Sequence, residues 1–351
     1  MKQTISERPR TRRKRRSVIP DIAFILLTFA IAATLGVFAY SKYSQFLFKP
    51  KPADTVPVAV NPASQSLQLP LTGPSVSETA PSSLPAGSVY LPNPRLPLTI
   101  DRFNDRGVTL VLVEGGVLGT RRSPIRQGVE DFVREAGATA GINGTFFANA
   151  SLKGTDNLLI GPSLCDNEAS ETMSPFDTKP QLEGRPLVVV SPTCTCIVPY
   201  DTSSLSLPGA IQNLLPDVTN AFLGGVWLVR GGAASTLDQL NAYNVHDAED
   251  PRRRAFFAIM PDGRPVLGAS DGSITSKHLA RDLAAAGVRE AVLLDSGFST
   301  SLVFQSTILV TGHSTPTVPS RPVPQALVLY GQPDPSALTQ VQTAAPAPPT
   351  S

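Results

Sequence analysis

The chain has 351 residues, of which 41% are hydrophobic and 17% charged, with a formal net charge of +2. Charged residues fall below the roughly 25% of an ordinary soluble domain, and the positive charge sits at one end: residues 1–16 hold eight Lys or Arg and one Glu. The remainder is mildly acidic, and a folded part without a basic patch excludes nucleic acid as a partner.

The basic segment, residues 1–17, leads into the almost unbroken apolar stretch Ala23–Tyr40, which Ile19 and Ile22 extend. This length approaches the ~20 residues that cross a bilayer as a helix. The expectation is a transmembrane helix over 18–41. Lys and Arg stay on the cytoplasmic side, so the N-terminus is expected inside and the rest of this single-pass membrane protein in the periplasm or outside the cell. A cleaved signal peptide fits less well, because the apolar core is long and no small-x-small cleavage site follows Tyr40. Residues 42–98 are rich in Pro, Ser, Ala and Val; they offer too little apolar surface to offset ordering entropy and are expected to be an extended linker. Residues 332–351 are expected to be a disordered tail for the same reason.

The folded domain is expected over 99–331. Thr109–Val113 is an apolar, β-branched run and predicts a strand. Ser123-Pro124 has the form of a helix cap with proline at the first helical position, so a helix is expected to about Ala136, stopped by Gly137. Ala138–Phe147 predicts a strand opening into a polar turn. Gly161–Gln181 has the look of a long loop, and Leu187–Val190 of a strand. Phe256–Met260 and Pro265–Ala269 flank the turn Pro261-Asp262-Gly263-Arg264 and predict a hairpin. Thr275 or Ser276 caps a helix through Ala286, ended by Gly287. Ala291–Leu294 is a buried strand delivering Asp295, and Pro322–Tyr330 is the final strand. Strands alternate with helices but include hairpins, so the expected class is α/β or α+β, a mixed β-sheet with packed helices.

Three cysteines, Cys165, Cys194 and Cys196, allow a disulfide of Cys165 with either of the others on an oxidising side of a membrane. A metal site is disfavoured, because His246, His278 and His313 show no ligand-like spacing to them. No cofactor is indicated. The acidic run Asp247-Ala248-Glu249-Asp250 keeps a divalent cation open. Gly312-His313-Ser314 begins like a nucleophile elbow, but Pro316 stands where the closing glycine is needed.

Four clusters share one character, a strand end emptying into Gly and small polar residues, where such domains bind ligands. They are Ile142-Asn143-Gly144-Thr145-Phe146-Phe147, Leu223-Gly224-Gly225 through Gly232, Arg252-Arg253-Arg254-Ala255, and Leu294-Asp295-Ser296-Gly297-Phe298-Ser299-Thr300-Ser301. Asp295 follows a buried apolar strand, which partly desolvates its carboxylate. Arg253 and Arg321 offer planar forks that match phosphate. Asn143 both donates and accepts at a sugar hydroxyl.

In order and spacing these clusters, from about 108 to 331, resemble the phosphodiester glycosidase domain family, which includes the enzyme that removes N-acetylglucosamine from a sugar phosphodiester. The Asn-Gly-Gly-aromatic-Phe turn is matched by Asn143–Phe147. The Gly-rich strand is matched by Gly224-Gly225 through Gly231, and Pro-Arg-Thr-Ala by Arg253-Arg254-Ala255. Leu-Asp-Gly-Gly-Gly-Ser-Thr is matched by Leu294–Thr300, and Arg-x-Val-Pro-Asn-Ala by Arg321–Ala326. Five residues depart from the pattern: Thr145, Ser296 and Phe298 for glycines, Arg254 for a threonine and Gln325 for an asparagine. The resemblance implies a hydrolase of a glycosyl phosphodiester or related glycoside in envelope polysaccharide. Asp295, Asn143 and Arg253 are then expected in catalysis. Gly144, Gly224, Gly225, Gly297, Ser299, Thr300 and Arg321 are expected around the substrate. The alternative is a non-catalytic carbohydrate- or cell-wall-binding module on the same fold. Glycoside cleavage usually employs two carboxylates; besides Asp295, the sequence offers Asp271 and Asp156.

Overall fold

The structure is a computed structural model describing residues 84–105, 107–148, 158–169, 180–243, 245, 249–315 and 317–344. The chain divides into two units, residues 1–74 and 75–351, and the described residues all belong to the second. The expected basic segment, transmembrane helix and linker up to residue 83 lie outside the described residues. Among the described residues no helix is long and apolar enough to cross a membrane.

The chain runs β1 (Val89–Pro92), β2 (Thr99–Asp105), β3 (Val108–Glu114), β4 (Val117–Gln127), α1 (Val129–Glu135), β5 (Ala140–Asn143), β6 (Ser163–Cys165), β7 (Glu168–Ala169), β8 (Pro186–Val190) and β9 (Cys194–Pro199). It continues through α2 (Pro208–Gln212), β10 (Asn220–Leu223), β11 (Trp227–Arg230), β12 (Ala233–Ala234), α3 (Leu237–Asn241), β13 (Ala255–Ile259) and β14 (Pro265–Ser270). It ends with α4 (Ser276–Ala285), β15 (Glu290–Leu293), β16 (Ser301–Phe304), β17 (Thr307–Thr311), β18 (Val323–Tyr330) and α5 (Pro335–Ala344).

The strands form three sheets, in the orders β1-β9-β8-β10-β6-β7, β12-β11-β15-β13-β14-β3-β2 and β17-β16-β5-β18-β4. Every named strand pair is antiparallel. Among the described residues, strands account for 42% and helices for 17%. The expected α/β or α+β class is therefore corrected to a mostly β domain of curled antiparallel sheets. The reason lies in which strand fills the middle. The units β4-α1-β5 and β14-α4-β15 do have the strand–helix–strand pattern. In each, however, the two strands are held apart by a third that runs against both: β18 between β4 and β5, β13 between β14 and β15.

The main core lies where the inner faces of the sheets meet. Val188, Ile197 and Phe222 come from the first sheet, Phe257, Leu267 and Val292 from the second, and Ile142, Leu302 and Leu327 from the third, all buried in one cluster. Phe222 and Phe257 meet edge to face at 5.5 Å, a favoured aromatic geometry. On the other face of the second sheet, Leu279 and Leu283 of α4 join Val226, Phe256 and Leu293. Thr275 caps that helix by accepting from the His278 N–H.

Other expectations change. Ser123 and Pro124 lie inside β4, not at a helix start; β4 is an edge strand beside a bulge at Val323/Gln325, which is where a sheet tolerates proline. The helix begins at Val129. The expected loop over 161–181 contains β6 and β7. β1 takes residues assigned to the linker and pairs with β9, and α5 takes residues assigned to the tail. The three cysteines are free thiols. Cys194 and Cys196 point into one core cluster with Leu164. Side chains alternate along a strand, so Cys165, next after Leu164, faces away from both and approaches the Thr120 carbonyl at 3.1 Å.

Candidate active site

The site is built at the end of β15. After the buried Leu294 comes Asp295, whose Oδ1 accepts the Ser296 N–H at 3.0 Å and turns the chain out of the sheet. Gly297 then has φ +68, a left-handed conformation that glycine adopts without a Cβ penalty. A turn of 3-10 helix over Gly297–Ser299 follows.

Arg321 closes the loop from the opposite side. Its Nη2 lies 3.2 Å from Asp295 Oδ2, with 27% of the arginine side chain and 13% of the aspartate side chain exposed. Its Nε and Nη2 both donate to Ser299 Oγ, at 3.0 and 2.5 Å, and its backbone N–H donates to the Phe298 carbonyl at 2.7 Å. The guanidinium lies 5.1 Å from the Phe147 ring centre, and Arg126 reaches the same ring at 4.7 Å. Planar guanidinium stacking of this kind fixes the plane in which the fork is offered.

Beneath this pair runs a layer of buried polar clamps. Asn143 ends β5 and is fully buried. Its Nδ2 donates to the Asp295 carbonyl at 2.6 Å, and its Oδ1 accepts from the Ser301 N–H at 3.1 Å. The next residue, Gly144, donates to the Gln325 carbonyl and accepts from the Asp295 N–H. A Cβ on Gly144 would stand 2.6 Å from Gln325 Oε1, so the close approach requires glycine. Thr300 Oγ1 and the Gly297 N–H both reach the Arg253 carbonyl, at 3.0 and 2.8 Å. The Arg253 side chain crosses to the Thr311 carbonyl at 2.9 Å, and Arg252 lies beside Gly297.

The expected site residues therefore divide. Asp295, Arg321, Arg253 and Gly297 meet at one partly exposed loop face. Asn143, Ser299 and Thr300 are buried beneath it, with their polar atoms on backbone groups of the loop or on Arg321. Gly224 and Gly225 are buried in packing, the latter where a Cβ would strike the Phe146 ring at 2.6 Å. Asp271 is spent on the Thr109 N–H, and Asp156 lies outside the described residues. Sequence reasoning missed Arg126 and the pairing of Phe298 with His313; neither carries a local signal, because each partner comes from a distant segment. Among the described residues no group of three His, Cys, Asp or Glu could hold a metal ion.

Four of the five departures from the family pattern are internal. Thr145 gives its N–H to Gln325 Oε1 at 3.1 Å and its hydroxyl to the Leu223 carbonyl, while Gln325 donates to Ser163 at 2.7 Å. Two of the departures thus pair with each other. Ser296 Oγ donates to the Leu294 carbonyl at 3.0 Å, and Arg254 is fully buried with its Nη2 on the Asp250 carbonyl. Phe298 alone faces outward, 62% exposed.

The model of the phosphodiester glycosidase family matches residues 136–330. The chain matches no curated protein sequence. Among solved structures, the catalytic domain of zebrafish N-acetylglucosamine-1-phosphodiester alpha-N-acetylglucosaminidase, auto-inhibited by its pro-peptide, aligns with a TM-score of 0.53 at 14% identity, over 70% of this chain and 88% of that one. A hypothetical protein from Synechocystis aligns at 0.46 and 13% identity, over 67% of this chain and 62% of that one. The family match spans more than half of the chain, from the end of α1 through β18, and includes the clamps and the Asp295–Arg321 pair; the chain belongs to the phosphodiester glycosidase family.

Proposed function

We propose that this chain hydrolyses a glycosyl phosphodiester in an envelope polysaccharide, with Asp295 as the reacting carboxylate and Arg321 and Arg253 as the phosphate clamp. The observation that carries the reading is the Asp295–Arg321 pair at 3.2 Å, fixed from below by Ser299 and Asn143 and presented at a loop face rich in arginine. A carboxylate beside a planar fork matches a substrate in which a sugar carbon adjoins a phosphate.

The leaving group explains why one carboxylate suffices. Ordinary glycosides leave as alkoxides and require a protonated carboxyl as general acid. A phosphomonoester carries a second pKa of about 6, so it departs as an anion and requires charge stabilisation instead of a proton. In the proposed step, water attacks the anomeric carbon and Asp295 takes its proton. The carbon–oxygen bond breaks with its electron pair going to the phosphate, and the arginines hold the charge that develops.

The anchor belongs to the same proposal. The basic run Arg8–Arg16 and the apolar stretch Ala23–Tyr40 support a helix that holds the domain on the outer side of a membrane. Protease added to intact cells should then remove the domain and spare the first 17 residues; a fully protected domain contradicts the topology.

The activity is tested by incubating the full chain with a panel of synthetic sugar-1-phosphodiesters and following sugar release. Release from phosphodiesters, with none from the matching alkyl glycosides, is the expected result. Saccharide binding without turnover of any diester moves the reading to a non-catalytic binding module.

A further inference from the structure

A single exposed phenylalanine ordinarily requires no explanation. Phe298 differs in three respects. It stands in the loop that carries Asp295, at a position where the family pattern has glycine. Its backbone carbonyl is tied to Arg321, the partner of Asp295. Its ring is stacked on His313, with centres 4.7 Å apart and planes 17° apart, while 62% of the residue remains exposed.

The stack is held on both sides. The His313 carbonyl accepts the Thr311 hydroxyl at 2.9 Å, and the Gly312 N–H donates to Ser320 Oγ at 2.9 Å. The two loops touch at Gly312, where a Cβ would stand 2.6 Å from the Phe298 carbonyl oxygen. A stacked aromatic surface thus stands on the loop that carries Asp295, tied through its backbone to Arg321. Aromatic faces carry negative charge density, and the axial C–H face of a pyranose presents the complementary positive edge. An ordered surface binds without a further loss of side-chain freedom.

We infer that Phe298 and His313 form a stacking platform for a pyranose ring of the substrate, and that this platform sets sugar preference in this chain. The inference rests on the sugar-phosphodiester reading above and adds the element that grips the sugar. The phosphate is held elsewhere, by Arg321 and Arg253, so platform and clamp act on different parts of one molecule.

The test uses the full chain, with methyl N-acetylglucosaminyl 1-phosphodiester as probe and inorganic phosphate as competing ligand. In Phe298→Ala, KM for the diester should rise roughly tenfold, the scale of one aromatic contact, with kcat and inhibition by phosphate unchanged. Phe298→Trp should restore KM, and His313→Ala should give a smaller rise. An unchanged KM in Phe298→Ala, with the wild type active, overturns the platform and leaves the hydrolase reading standing. A parallel loss of phosphate inhibition also overturns it, by showing that the loop has simply collapsed. If the wild type binds the diester without turnover, the dissociation constant replaces KM with the same expectations. A wild type that neither binds nor hydrolyses the diester removes both the reading and the platform.

Discussion

Two regions of this domain have the same plan and opposite uses. In each, a helix stopped by a left-handed glycine, Gly137 or Gly287, feeds a short buried strand whose end carries a polar residue followed by small ones. After α1 and β5 that residue is Asn143, sealed in the interior with each end of its carboxamide on backbone. After α4 and β15 it is Asp295, whose side chain reaches the surface and meets Arg321. The Asn143 side chain donates to the Asp295 carbonyl, so in the proposed reading one strand end is the mount and the other the tool. The difference teaches that a polar residue at a strand end is not by itself a ligand contact. What decides is whether its neighbours, here β16 at Ser301 and β18 at Gln325 on either side of β5, have covered it.

Substitutions can break this comparison. The largest effect should come from the tool side. Arg321→Met removes a partner of Asp295 and, in the proposed reading, a fork on the phosphate, and should lower kcat/KM by about 100-fold or more, the scale of losing one preorganised charge donor, with little change in melting temperature. A loss confined to melting would assign Arg321 to stability instead. On the mount side, Asn143→Leu removes the buried hydrogen bonds to the Asp295 carbonyl and from the Ser301 N–H, at about 1–3 kcal/mol. Thermal melting should fall, and activity with it, although the Asn143 side chain is fully buried. Full activity would show that the clamp does not position Asp295.

The neighbouring glycines sharpen the contrast. Gly144→Ala meets Gln325 at 2.6 Å and has to displace it, whereas Gly297→Ala meets nothing nearer than Arg252 Cδ at 3.6 Å. The cost at Gly297 is only the left-handed backbone, about 1–2 kcal/mol. Chemical denaturation should rank Gly144→Ala as the more damaging; the reverse order would mean that the Gln325 side chain yields freely.

The smallest effect concerns pH. At the start of β15, Glu290 is buried and accepts from the Trp227 indole at 3.0 Å and the Gly231 N–H at 2.7 Å. Burial raises its pKa above 4.5, against the lowering by those hydrogen bonds. The folded state therefore keeps this proton to higher pH than the unfolded state does. Stability contributed by Glu290 should fall as pH rises from about 4.5 through the folded value, then level off. Glu290→Gln should flatten that slope in denaturation measured across acidic pH. An unchanged slope would assign it to Glu114, which burial also raises.

Local structure was legible wherever a run was long or its caps explicit: β3, the β13–β14 hairpin, α4 with Thr275, and β18. Class was not, because the strand that separates β4 from β5 arrives almost two hundred residues later in the chain, and no local pattern announces it. Ser123-Pro124 misled because an edge strand accepts the same residues as a helix start. The proximity of Asp295 to Arg321, and of the Arg253 backbone to the Asp295 loop, was legible only through the order of the family-like motifs, since the three residues lie on separate segments. The burial of Asn143, Ser299 and Thr300 was not legible, since it is set by segments distant in the chain, for Asn143 the flanking strands β16 and β18. The stacks of Phe147 with Arg126 and of Phe298 with His313 are tertiary facts, invisible in either segment alone.

The central claim is that Asp295 performs the chemistry on a loop that the buried clamps hold. Asp295→Asn in the full chain preserves the size of the side chain and an acceptor for the Ser296 N–H while removing the charge. Sugar release from a sugar-1-phosphodiester should drop by about 100-fold or more, in kcat, as expected for loss of a general base, with melting within a few degrees of wild type. Release at the wild-type rate would contradict the account and move the chemistry away from this loop.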